Sequence, residues 1–199
     1  MEWLIDLDKT LFYLINHDLS HDILDAILIP IRNPFVWAPL YIFIIGFVLF
    51  NFKKKSYWFL LLALLNMGTS DIVSSRVIKP SIERLRPCHP ASGVDAVVRV
   101  RCGSAYSFTS SHATNHFALA TFLTITLGFV LGKFKMILFV WAFLISLAQV
   151  YVGVHFPVDI IVGSLIGTTI GLIYGTLFMK YYGLEPYFQS LTYPNDNDG

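Results

Sequence analysis

Residues 158–179 read VDIIVGSLIGTTIGLIYGTLFM, and the only charged side chain in the run, Asp159, stands at its start. An α-helical bilayer crossing needs about 20 predominantly apolar residues, which this stretch supplies. Gly163, Gly167, Gly171 and Gly175 recur at every fourth position and so share one helix face. Small residues at that spacing let a second helix approach closely. The stripe is read as a contact within the chain ahead of a dimer face, which leaves monomer and homodimer both open.

Four further stretches match it in length and apolarity, at 34–52, 56–78, 112–132 and 136–154. Two of them carry polar residues near their ends, Ser70, Asp71, Ser74, Ser75 and Arg76 in one, Ser146 and Gln149 in the other. Such groups are costly in lipid and are expected to face the bundle interior or a wet cavity. Asp71 and Arg76 are read as helping to close the bundle. Of the 199 residues 55% are hydrophobic and 14% charged, against about 25% charged in soluble domains. The mean hydropathy is +0.63. A net charge of +1 gives no case for a nucleic-acid partner, and the 17 Phe, 10 Tyr and 4 Trp suit lipid-facing and interfacial positions better than base stacking.

Residues 1–33 differ. Trp3, Leu4, Leu7, Leu11, Phe12, Leu14 and Ile15 alternate with Glu2, Asp6, Asp8 and Lys9, and Ile23, Leu24, Ile27, Leu28 and Ile31 follow Asp22 and Asp25. The periodicity is helical and the charges too frequent for a span, so one or two amphipathic helices at the membrane interface are expected. With Glu2 and Asp6 at the start, no removable signal peptide is visible. The fold class is therefore all-α: a polytopic membrane helical bundle of about five transmembrane helices behind N-terminal amphipathic interfacial helices. Residues 34–181 form its core, with an outer loop at 80–110, and 182–199 form a polar tail.

Lys53, Lys54 and Lys55, then Lys133 and Lys135, then Lys180 all fall on one side of such a bundle. The positive-inside rule makes that side cytoplasmic. The other side carries Lys79, Arg84, Arg86, Arg99 and Arg101, cations that an anion site there would require. Cys88 and Cys102 lie in the same outer loop. Their spacing suits a loop-closing disulfide in an oxidising compartment, and two free thiols on a cytosolic loop are the alternative.

Three polar segments converge on that outer side: Lys79-Pro-Ser-Ile-Glu-Arg-Leu-Arg86-Pro87, Ser107-Phe-Thr-Ser-Ser-His112 and His155-Phe-Pro-Val-Asp159. Lys79 and Arg86 are donors suited to phosphate oxygens. Ser110, Ser111 and His112 lie where the third span begins, and the start of a helix attracts anions. A His four residues before a carboxylate can be held in one tautomer and act as nucleophile, while a second imidazole serves as acid. The set reads as phosphoryl transfer.

The pattern Lys-x6-Arg-Pro, Ser-x-His and His-x3-Asp resembles the three-part signature of the type 2 phosphatidic acid phosphatase superfamily, integral-membrane branch. The motifs cover Lys79 to Asp159. The resemblance implies a helical bundle that removes phosphate, without metal or other cofactor, from a membrane lipid phosphate or diphosphate. It implies attack by His155 to form a phosphohistidine, orientation of His155 by Asp159, and proton transfer by His112. Lys79, Arg86 and the 110–111 segment would hold the phosphate oxygens. Polyprenyl diphosphate, phosphatidic acid, phosphatidylglycerol phosphate and lipid A phosphates all suit such a site, with polyprenyl diphosphate the first choice for a small bacterial inner-membrane enzyme facing the periplasm.

Thr109 and Ser111 stand where that signature has proline and glycine. A larger departure is Gln149, where the signature has an arginine that clamps phosphate. A hydrogen bond to a charged group contributes about 1.5–3 kcal/mol, so its loss would slow turnover by roughly one to two decades, with Arg76, Arg84, Arg99 and Arg101 as candidate compensators. The alternative is a lipid-phosphate binder or carrier that keeps the pocket. His112 and His116, at i and i+4, have the spacing of a zinc pair, but no Glu accompanies them and Lys79 and Arg86 would repel a metal.

Overall fold

The computed structural model describes residues 2–103 and 106–184, and every regular element among them is helical. Helices α1 (Glu2–Tyr13) and α2 (Asp22–Ile31) are joined through a π-helical turn at Leu14–Asp18. Then follow α3 (Ala38–Phe52) and α4 (Lys54–Ile72), the latter prolonged by a π-helical turn (Val73–Ile78) and a short α5 (Lys79–Ile82). Beyond the outer loop come α6 (Ser111–Leu131), α7 (Met136–Tyr151) and α8 (Pro157–Tyr182). The stretches Pro34–Phe52, Lys54–Ile82, Ser111–Tyr151 and Pro157–Tyr182 are long and apolar enough to cross a membrane. The third of them reverses at Gly132–Lys135 into the helical pair α6 and α7. From residue 185 onward the expected polar tail lies outside the described residues.

The outside of the bundle is apolar. Phe50 is 90% exposed and Leu64 69%, which only a hydrocarbon solvent makes favourable. Inside, Phe59, Phe122 and Phe178 pack with ring centroids 5.2–6.3 Å apart at the end away from the outer loop. Polar side chains of the second span turn inward and pair. Ser70 donates to Asn115 Oδ1 at 2.8 Å, and Ser74 lies 3.0 Å from the Ser111 hydroxyl. Arg76, by contrast, is exposed and does not close the bundle; Asp71 accepts from Asn115 at 3.4 Å.

The glycine stripe of α8 lies against α6. A Cβ at Gly167 would overlap the Thr114 carbonyl oxygen, one at Gly171 would come within 2.5 Å of Ala118 O, and one at Gly163 within 2.9 Å of Ser110 O. The contact is intramolecular. It sets the N-termini of α6 and α8 side by side, where Ser110 N–H donates to Asp159 O at 3.1 Å.

The N-terminal helices are docked on the outer end of the bundle rather than detached from it, α1 touching α8 and α2 touching α7. Asn16 donates to Val97 O and Tyr151 O and accepts from Val97 N–H, at 2.8–2.9 Å. Arg99 pairs with Asp25 at 2.8 Å, donates to Tyr151 O, and lies over the Tyr151 ring. These two helices still expose Trp3, Leu4, Leu7, Ile23 and Ile27, apolar surface of the kind a membrane interface receives. Cys88 and Cys102 are joined in a disulfide that closes the outer loop.

Two outcomes follow from this packing. Gly167→Ala should lower the melting midpoint in detergent, since overpacking generally costs about 1–3 kcal/mol. Gly46→Ala, where a Cβ meets nothing within 4 Å, should leave it unchanged; equal melting of the two variants would refute the close contact. Reducing the disulfide should also lower the midpoint, because closing a loop of about 15 residues is worth roughly 3 kcal/mol in the chain-entropy model. Circular dichroism melts with and without reductant read this directly, and a Cys88→Ser/Cys102→Ser variant should show no further response to reductant.

Candidate active site

Helix α8 opens with Pro157 in its first turn, where a missing N–H costs nothing. Asp159 sits at the third position of that turn and accepts from Phe156 N–H at 2.8 Å through Oδ2. The same oxygen lies 3.4 Å from His155 Nδ1. Between α7 and α8 the chain turns through Gly153, at φ 83° and with a Cβ position only 3.0 Å from Val97 O. The backbone carbonyl of Gln149 accepts from both Val154 and His155 N–H, at 3.1 and 3.2 Å, which fixes the turn carrying His155.

His155 is 3% exposed. Its Nε2 faces Arg86 Nη1 at 3.3 Å, and Arg86 has no acceptor to offer, so that nitrogen keeps its lone pair. The proton therefore sits on Nδ1 and points at Asp159. Burial pushes His155 below the ordinary histidine value, to about 4, although the bond to Asp159 opposes this. At neutral pH the ring is uncharged with Nε2 available, the form a nucleophile requires.

Asp159 is fully buried and has a third partner, Arg84 Nη1, at 2.8 Å from Oδ1. Arg84 Nη2 reaches Asp8 of α1 at 2.5 Å, and Asp8 Oδ1 accepts from Val158 N–H at 2.8 Å. The Arg84 guanidinium also lies over the Phe156 ring, 4.0 Å from its centroid. Arg84 is thus committed to two carboxylates, and Arg99 to Asp25; neither compensates for Gln149.

A cavity of about 330 Å³ opens in front of His155. His112, Lys79, Arg86, Ser111 and Gln149 line it together with His155, so the structure brings these six predicted residues to one space. Ser110 lies beneath instead. Its hydroxyl caps α6 by accepting from Ala113 N–H at 3.4 Å, and its own N–H is taken by Asp159 O. Ser111 and His112 start α6, where N–H groups have no carbonyl a turn earlier to bind. Lys79 donates to the carbonyls of Tyr106, Ser107 and Thr109 at 3.0, 3.2 and 2.6 Å. It therefore shapes the loop before α6 and lends its charge to the cavity, with all three of its donors engaged.

Two residues at the site, Asp8 and Arg32, lie outside the three motifs. Asp8 was one charge among several on an amphipathic helix, though it stands one turn before Phe12, with which it shares the buried face. Arg32 lines the cavity as well; its signal was a lone cation between Pro30 and Pro34. Arg101 also lines the cavity, whereas Arg76 does not.

A second cavity of about 460 Å³ shares Arg32, Ser111 and His112 with the first and adds Asp71, Asn115 and His116. It shares Tyr41, Met67 and Leu119 in turn with an apolar groove of about 280 Å³ between α3, α4 and α6. As for metal, His116 Nδ1 donates to His112 O at 2.8 Å and its ring packs on Trp141. Among the described residues no three His, Cys, Asp or Glu gather as a metal site.

Residues 56–182 match the PAP2 superfamily model. Lipid A 4'-phosphatase of Porphyromonas gingivalis is 31% identical over 190 residues, covering 92% of this chain and 75% of that protein. Phosphatidylglycerophosphatase B of Bacillus subtilis is 36% identical over 133 residues, covering 63% and 60%. Among solved structures, a transmembrane PAP2 type phosphatidylglycerolphosphate phosphatase from Bacillus subtilis superposes with a TM-score of 0.70 at 26% identity, covering 91% of this chain and 89% of that one. LpxE of Aquifex aeolicus does so at 0.60 and 31% identity, covering 86% and 94%. With the family model matched across more than half its length, including the residues around the His155 cavity, the chain belongs to the PAP2 superfamily and is an integral-membrane lipid phosphatase of that type.

Proposed function

We propose that this enzyme removes a phosphate monoester from a membrane lipid through a phosphohistidine at His155, and that its substrate is of the lipid A type. One observation carries the mechanism: a buried, neutral imidazole with Nδ1 directed at Asp159 and Nε2 directed into a cavity lined by cations. On substrate binding the phosphoryl oxygens take the Arg86 donor away from Nε2. Nε2 then forms a bond to phosphorus while the bond from phosphorus to the leaving oxygen breaks, and His112, entering the step as the imidazolium beside the bound phosphate anion, gives that oxygen its proton and is left neutral. In the second half water attacks phosphorus, His112 takes the water proton, and the N–P bond breaks to release inorganic phosphate. Asp159 stabilises the positive ring of the intermediate, as a carboxylate behind a nucleophilic or basic His does. Arg86 and the start of α6 stabilise the charge on the equatorial oxygens.

The joined cavities support the choice of substrate. A sugar-borne phosphate would place its hydroxyls beside Asp71 and Asn115 in the second cavity, with hydrocarbon in the apolar groove beyond. A polyprenyl chain would bring hydrocarbon directly against those polar groups, so lipid A type substrates rank ahead of polyprenyl diphosphate. The lipid A 4'-phosphatases of Bacteroides thetaiotaomicron and Porphyromonas gingivalis, similar over 84% and 92% of this chain, support the same order. The disulfide and the lysines at the opposite end support a site facing the periplasm from a bacterial inner membrane. The alternative of a binder or carrier rests on Gln149 alone.

Detergent-purified protein should release phosphate from lipid A with EDTA present, and His155→Ala should reduce release to background. Radiolabelled phosphate from the lipid should be trapped on the protein in an acid-labile, alkali-stable form. Because the folded value of His155 in the free enzyme lies below 6.5, the limb of the kcat/KM profile that reports His155 should fall toward about 4 rather than at 6.5. Full activity in His155→Ala would refute the mechanism, and loss of activity with EDTA would assign the chemistry to a metal.

A further inference from the structure

Arg32 reaches the catalytic cavity from outside the motifs. It follows the last turn of α2, in a segment held by Asn33 N–H on Pro30 O at 2.9 Å and by the Trp37 indole on Ile31 O at 2.6 Å. Its Nη2 donates to Gln149 Oε1 at 3.3 Å, and its Nε is buried with no partner. Among the described residues it forms no ion pair, in contrast to Arg84 and Arg99. It lines the catalytic cavity beside Arg86 and His155, and the second cavity beside His112.

A guanidinium with five N–H donors, one of them spent on a neutral amide and one buried and unspent, is poised for an acceptor that is not part of the protein. Burial chiefly, and the like charge of Arg32, press Arg86 below the ordinary arginine value, while Asp159 opposes them. Four cations, Arg32, Lys79, Arg86 and Arg101, line the cavity, and a bound anion relieves their mutual repulsion. Gln149 is 1% exposed and its Nε2 is bonded to Ile145 O at 3.3 Å, so its amide is oriented to present Oε1 to Arg32.

We propose that Arg32 is a phosphate-clamping residue of the active site, supplied by the N-terminal segment and held in place by Gln149. The inference rests on the phosphatase reading, and it names the cation that completes the oxygen contacts around the phosphoryl group. Arg32 sits at the junction of the two cavities, where the bond to the leaving group would lie. Its fork suits two oxygens of a phosphoryl group there.

The test grafts the charge from one side of the cavity to the other in the full chain. Arg32→Gln should lower kcat/KM for lipid A about ten- to a hundredfold, the loss expected for a charge-assisted hydrogen bond, and should weaken orthovanadate binding to a similar degree. Arg32→Lys should fall between it and the parent. Adding Gln149→Arg to Arg32→Gln should recover at least about tenfold, because position 149 lines the same cavity, a recovery that a merely structural role of Arg32 would not give. Arg76→Gln, exposed and off the cavity, should be unchanged. If the parent hydrolyses lipid A and Arg32→Gln does so equally well, the clamp is overturned while the phosphatase reading stands. A loss in Arg32→Gln that Gln149→Arg does not recover also overturns it, assigning Arg32 to the packing of the N-terminal segment. If the parent hydrolyses no lipid phosphate, the phosphatase reading fails, and vanadate affinity across the same variants still decides for or against the clamp.

Discussion

The close approach of α6 and α8 is the constraint on which the rest of the structure depends. The proposed mechanism uses two imidazoles at one cavity, His112 in the first turn of α6 and His155 just before α8. Helices with ordinary side chains between them pack 8–10 Å apart. The glycines at 163, 167 and 171 remove that spacer, so backbone meets backbone, and Ser110 N–H closes on Asp159 O. Register along the pair is then fixed, since sliding by one residue would put a Cβ where a carbonyl now lies. His112 in the first turn of α6 and Asp159 in the first turn of α8 hold their relative height because of it.

Around this pair the charges are arranged in series. Asp159 alone would be an expensive buried anion, and removing one partner of a buried pair generally costs about 3–5 kcal/mol. Its two oxygens share three donors, the Phe156 N–H, the His155 ring and Arg84. Arg84 in turn is balanced by Asp8, which is braced by Val158 N–H at the start of the same α8. The N-terminal helix is therefore electrostatically continuous with the Asp159 carboxylate. That continuity explains why a segment with the composition of a membrane-surface helix is docked into the outer end of the bundle.

What was legible in the sequence follows from which interactions are local. The spans were readable because lipid demands long apolar runs, and the glycine face of α8 because four-residue spacing maps directly onto one side of a helix. His155 and Asp159 were readable for the same reason, being one turn apart. Ser110 and Lys79 were placed as direct phosphate ligands because residue type and motif position carry no information about what else a donor touches. Lys79 spends its donors on three carbonyls, and Ser110 caps its helix. Asp8 and Arg32 escaped altogether. Their partners lie 76 and 117 residues away along the chain, and their local signals, Phe12 one turn beyond Asp8 and the prolines flanking Arg32, do not reveal those partners.

The position of Arg32 bears on how such a site tolerates change. An oxygen on phosphorus responds to the charge and direction of a donor, and the helix that donor grows from is immaterial to it. Position 149 faces the cavity from α7, and Arg32 enters the same space from the end of α2. If charge can be delivered along either route, a motif residue becomes dispensable once a second segment is rigid enough to hold its replacement. Rigidity is what Pro30, Pro34 and the Trp37 bond to Ile31 O provide, because a clamp must be oriented before the reaction begins if it is to favour the transition state. The neutral amide left at 149 then gains a use of its own. It accepts a hydrogen bond from the guanidinium without neutralising it, which a carboxylate at the same place would do.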